Sequence, residues 1–168
     1  QAELIVTYSL LGSRREARKE LAVRFANRNA ATWKDPRLAA AFVSPNDPAV
    51  LEHSKYIAGL VRERIRAGID ANLQYAMGFF EGMRLSGISF GPDPTTPYGK
   101  FHVDTGAVDY LQYPYQTLAY RSGDCDELAV LYAAALESIG IKTAFIPLAD
   151  DFCVAFLLSM DESEAAAA

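Results

Sequence analysis

The stretch Arg121-Ser122-Gly123-Asp124-Cys125-Asp126-Glu127-Leu128, running into Ala129-Val130-Leu131-Tyr132-Ala133-Ala134-Ala135-Leu136, decides how this chain is read. Its second half is apolar almost without a break and reads as a buried helix. Asp124 is a natural N-cap, and Glu127 three residues on completes a capping box. Cys125 then falls in the first turn, where unpaired backbone N–H groups and the helix dipole favour a thiolate. A cysteine nucleophile is commonly activated in such a place.

Outward from this helix, the pattern predicts helices first and strands afterwards. Upstream, Val108-Asp109-Tyr110-Leu111-Gln112 leads to Pro114 and a short helical turn near Thr117-Leu118. Downstream, Gly140 stops the helix. Residues 141–146 and 152–158 then read as two antiparallel strands. Asp35-Pro36 opens a short helix through Phe42, and Asp47-Pro48 repeats the device to begin the longest helical stretch. Val50, Ile57, Val61 and Ile65 keep a helical spacing that Ile69, Leu73, Met77, Phe80 and Met83 continue, with a bend or break expected at Gly68 and a stop at Gly87. Residues 87–99 are rich in Pro and Gly and read as a loop, either a functional rim or a plain connection.

At the N-terminus, residues 3–10 are strand-like, and Leu21, Val23 and Phe25 alternate with Ala22, Arg24 and Ala26. With Leu11 to Arg15 as the turn, this predicts a β-hairpin over residues 1–28, packed on the rest of the chain or left from a preceding β domain. Residues 29–168 form the main domain. Helices succeeded by strands give an α+β class: a helical N-terminal part, then a cysteine-bearing helix on a small antiparallel sheet.

Composition bounds the functions. A chain of 168 residues that is 51% hydrophobic is globular. A net charge of -5 argues against nucleic acid as partner. The basic runs Arg14-Arg15-Glu16-Ala17-Arg18-Lys19 and Arg62-Glu63-Arg64-Ile65-Arg66 carry interspersed acids and read as solvated faces. No apolar run reaches the roughly 20 residues that span a bilayer. Two cysteines are too few for a disulfide framework, and no zinc spacing occurs, so no metal or cofactor is expected. The chain opens on Gln rather than Met, as a processed product or a fragment would.

The segment Gln112-Tyr113-Pro114-Tyr115-Gln116-Thr117-Leu118, then Gly123-Asp124-Cys125, an apolar helix and Gly140-Ile141-Lys142-Thr143-Ala144, resembles bacterial members of the transglutaminase-like superfamily. That superfamily shares its core with papain-type cysteine peptidases. The resemblance implies a cysteine hydrolase or acyltransferase domain acting on protein or peptide amides, exported or periplasmic, with flanking domains in a larger chain. In active members a histidine stands at the start of the next strand and is oriented by an Asp or Asn. The Ala155-Phe156 register places Asp151 at that histidine position.

A carboxylate is a poor substitute there. It raises a neighbouring thiol's pKa where an imidazolium lowers it. Its own pKa near 3.9 also leaves it without a proton to give at pH 7. His102, in Phe101-His102-Val103-Asp104, either approaches the site or is a surface imidazole, while His53 is expected to face solvent. Gln112, thirteen residues before Cys125, is an oxyanion-hole donor by resemblance, or simply bonds the turn before Pro114. Cys153 reads as a core cysteine, with pairing to Cys125 as the alternative. Trp33, Tyr98, Tyr113 and Tyr115 are cleft or core aromatics.

The candidate catalytic set is therefore Cys125, Gln112, Asp151 and His102. The functional expectation is a catalytically impaired transglutaminase-like domain. Its alternative is a non-catalytic peptide-binding or structural module.

Overall fold

The computed structural model describes residues 2–22, 27–32, 35–92, 108–148 and 152–160. In chain order they form β1 (Ala2–Leu10), β2 (Ser13–Leu21), β3 (Ala30–Ala31), a 3-10 helix (Pro36–Phe42), α1 (Pro48–Arg62) and α2 (Ala71–Leu85). Next come β4 (Ser89–Phe90), β5 (Asp109–Tyr110), α3 (Pro114–Tyr120), β6 (Ser122–Gly123), α4 (Cys125–Ser138), β7 (Thr143–Pro147) and β8 (Phe152–Phe156). The class is α+β.

Helix α4 is the axis of the packing because it is apolar on several sides. Val130 packs with Ala31, Ala39, Phe42 and Leu111. Leu136 and Ala135 pack with Ile57, Ala76, Phe79 and Ile141, and Leu131 packs with Met83 and Ile88. Each cluster joins α4 to a different neighbour, and this explains why the helix has no wide polar face. The Tyr132 hydroxyl, pushed up to about 12 by burial, donates to the Ala76 carbonyl at 2.9 Å and ties α4 to α2. Strands β7 and β8 pair antiparallel with Ala144 opposite Ala155 and lie on α4, where Phe145 and Phe156 face the core.

The long helical stretch breaks in two. Asp47 caps α1 through the Ala49 N–H. The chain then turns after Arg62 through Gly68, held at φ 83°, before Asp70 caps α2 through the Leu73 N–H. Gly78 and Gly82 let α2 close on α1, since a methyl at either would collide with Val61 or Ile57.

Asp70 also binds the C-terminal segment, because its Oδ2 accepts the Ser159 N–H (2.8 Å), the Ser159 hydroxyl (2.6 Å) and the Met160 N–H (2.9 Å). Burial pushes this carboxyl up, but the Ser159 hydroxyl and the three backbone N–H donors outweigh it and bring the pKa down to about 2. A folded pKa below the unfolded value of about 3.9 means stability that is complete above that value. It is lost as pH falls from about 4 through 2. Denaturant midpoints measured across that window should fall steeply in the wild type and less steeply in Asp70→Ala. That variant should also lose about 1–2 kcal/mol at pH 7, in the range of a lost cap.

Three local expectations are corrected. The second hairpin strand is the charged run 13–21 itself, reached by the two-residue turn Leu11-Gly12 with φ of 52° and 77°. Positive φ at both turn positions gives the twist that a tight hairpin needs. The basic cluster Arg14 to Lys19 is therefore strand, and it is solvated as expected because the hairpin is exposed along almost all of both strands. Residues 23–26 lie outside the described residues. Within the loop expected over 87–99, Ser89-Phe90 forms a short parallel pairing with Ser122-Gly123, and residues 93–99 lie outside the described residues. The two final strands are 143–147 and 152–156: the first begins two residues later than expected and runs one further, and the second ends two residues earlier.

Candidate functional site

Helix α3 and strand β6 deliver the chain to the tip of α4. Pro114 opens α3, and Gln116 at its third position bonds back, its Oε1 accepting the Tyr113 N–H at 2.9 Å. Arg121 ends α3 in the left-handed region at φ 55°. Gly123 then passes close under α4, where a Cβ would lie 2.9 Å from the Glu127 Cβ and 3.0 Å from its Oε2. Only glycine fits that approach.

Asp124 caps α4 and closes the expected capping box with Glu127. The Glu127 carboxylate, 4% exposed, does more than cap. Its Oε2 accepts the Asp124 N–H at 3.1 Å and the Gln112 amide Nε2 at 2.8 Å, while Oε1 accepts the Gln112 backbone N–H at 3.1 Å. One buried acid thus joins the loop before α3 to the first turn of α4. Cys125 is the first residue of that turn and half-buried.

The surroundings of Cys125 are acidic. Asp124, Asp126 and Glu127 are 7%, 1% and 4% exposed. The Cys125 Sγ and one carboxylate oxygen from each of Asp124 and Asp126 lie within 4.8 Å of one another. A thiol and two carboxylates at that spacing are sterically able to share a cation. The two acids already have structural roles, however: Asp124 caps the helix, and Asp126 Oδ1 accepts the Glu127 N–H at 3.1 Å. We assign no metal to them. Carboxylates this close favour the neutral thiol over the thiolate, against the pull of the helix dipole.

Of the other expected catalytic residues, Gln112 falls within the described residues. Gln112 stands beside the cysteine turn with its amide nitrogen on Glu127. Asp151 and His102 lie outside the described residues, as do Trp33 and Tyr98. Cys153 is exposed on β8 rather than in the core, because β7 and β8 form a two-stranded sheet and the strand alternation turns it outward. No disulfide joins the two cysteines.

His53 is half-buried on α1 rather than solvent-facing. Its Nε2 is enclosed without a hydrogen-bond partner, and burial holds the imidazole below its usual range. It lines a groove between α1 and α3 with Ile88, Leu118 and Arg121.

Tyr113 and Tyr115 form a support rather than an open wall. Their rings lie 6.3 Å apart with the Arg28 guanidinium over both, and Tyr113 packs on Phe42 at 4.9 Å. Asn29 carries no mark in the sequence. This residue is 2% exposed and donates to the Leu111 carbonyl (2.8 Å) and to Gln116 Oε1 (2.6 Å), fixing the loop that carries Gln112. An asparagine partnered across more than eighty residues leaves no local signal.

Comparison with protein-family models, with curated proteins and with solved structures finds no match for the chain. No described helix is long and apolar enough to cross a membrane.

Proposed function

We propose that the chain is a transglutaminase-like domain of the cysteine hydrolase and acyltransferase class, directed at protein or peptide amides and catalytically impaired. The observation that carries this reading is the half-buried Cys125 at the tip of α4, its thiol and the carboxylates of Asp124 and Asp126 within 4.8 Å of one another. A thiol in the first turn of a buried helix is the arrangement for nucleophilic attack on an amide carbonyl. Two carboxylates beside the thiol disfavour its thiolate, and Asp151, in the sequence register of the usual histidine, has no proton to give a leaving amine at pH 7.

One observation favours the alternative, a module that holds a peptide without cleaving it. The Gln112 amide nitrogen donates to Glu127 at 2.8 Å, so one of its two N–H groups is committed within the protein and away from an oxyanion.

Asp151→His in a Cys153→Ser background tests the reading. If position 151 faces the thiol, an imidazole there should lower the Cys125 pKa by about one unit, and alkylation at pH 7 should speed up about tenfold. An unchanged rate would place residue 151 away from the cysteine and remove the ground for the assignment.

A further inference from the structure

We propose that the groove between α1 and α3 is a binding site for a small apolar α-amino acid, with its carboxylate on Arg121 and its ammonium on Glu52. The site is separate from the cysteine turn, and the cysteine reading does not bear on it. The groove is open to solvent and offers about 540 Å³, room enough for a small molecule.

Two opposite charges line it. Neither Glu52 nor Arg121 has a side-chain hydrogen bond or ion pair among the described residues, with each other or with any third group. Opposite charges that share a groove without closing on each other suit a ligand that carries both signs. A dianion such as a phosphate monoester meets repulsion from Glu52, and a simple cation meets it from Arg121.

The remaining walls fit the rest of such a molecule. Ile88, Leu118 and Tyr56 offer apolar surface for its side chain. Tyr56 is 70% exposed, so this surface is open to a ligand. His53 lines the same groove, and its Nε2 is buried with its hydrogen bond unmade, which is uncommon for buried polar atoms.

The backbone of Arg121 is fixed in place, and its side chain is exposed. Its backbone holds φ 55°, its N–H donates to the Thr117 carbonyl at 2.9 Å, and its carbonyl accepts the Ser89 N–H at 3.1 Å. Its guanidinium runs past Gly87, where a Cβ would stand 3.9 Å from Nη1. The neighbouring Tyr115 accepts a hydrogen bond from Arg28 through its hydroxyl, which keeps its own proton to donate.

Titration calorimetry with L-phenylalanine, 3-phenylpropionate and phenethylamine tests the assignment. The zwitterion should bind about fivefold more tightly than either singly charged probe, the factor a partly exposed ion pair supplies. Arg121→Gln should weaken phenylalanine and phenylpropionate alike. Glu52→Gln should weaken phenylalanine and leave phenylpropionate no weaker. Both side chains are exposed, so both variants should keep the wild-type melting temperature. Equal affinity for the three probes, no binding of phenylalanine, or phenylalanine affinity unchanged in both variants would overturn the proposal.

Discussion

Replacing Glu127 with alanine is expected to lower the unfolding free energy by about 2–4 kcal/mol, because hydrogen bonds to a charged group contribute about 1.5–3 kcal/mol each and are not additive here. The carboxylate is 4% exposed and accepts from the Gln112 N–H, the Gln112 amide and the Asp124 N–H. Alanine leaves all three donors without their acceptor and opens space beside Gly123. Lys55→Ala, exposed on α1, should stay within about 0.5 kcal/mol and serves as the control. Urea denaturation of the two variants checks this. A loss below about 1 kcal/mol for Glu127→Ala would mean that the loop before α3 holds its place without the buried acid.

The second large effect concerns the chemistry of Cys125. A thiol at a helix N-terminus ordinarily titrates below the free-cysteine value of about 8.5. Here the carboxylates of Asp124 and Asp126 lie within 4.8 Å of it or of each other, and the described imidazole, His53, lines the groove between α1 and α3. Coulomb repulsion at such distances, in a partly buried setting, is comparable to or larger than the dipole's contribution of about 0.3–1 kcal/mol. The net result should be a thiol titrating at or above the free value.

Much of the helical framework was legible because helix starts are local events. Asp35-Pro36, Asp47-Pro48 and the Asp124 to Glu127 box each place a cap, and all three begin helices where expected. Gly68 and Gly87 likewise mark turns, both at positive φ. The short strands were not legible, since β4 and β6 hold only two residues each and their pairing depends on chain brought together from far apart.

The second hairpin strand departs from its expected position for a related reason. Strand β2 covers no core, so its register shows in cross-strand pairs such as Thr7 with Glu16 rather than in apolar alternation. At the site, the sequence located the cysteine and its cap. It did not reveal that Glu127 binds Gln112, that Asn29 holds the loop, or that His53 is half-buried, because each depends on contacts between elements. Cys153 differs from expectation because an apolar strand reads as covered on both faces, whereas the two-stranded sheet leaves one face open.

The most direct measurement is the rate of Cys125 alkylation by iodoacetamide between pH 6 and 10 in Cys153→Ser protein. A carboxylate-ringed thiol predicts a rate that climbs through pH 7 and 8 and bends only at or above about 8.5. A plateau already reached below about pH 7 would reveal a stabilised thiolate, and with it a working cationic partner that contradicts an impaired site.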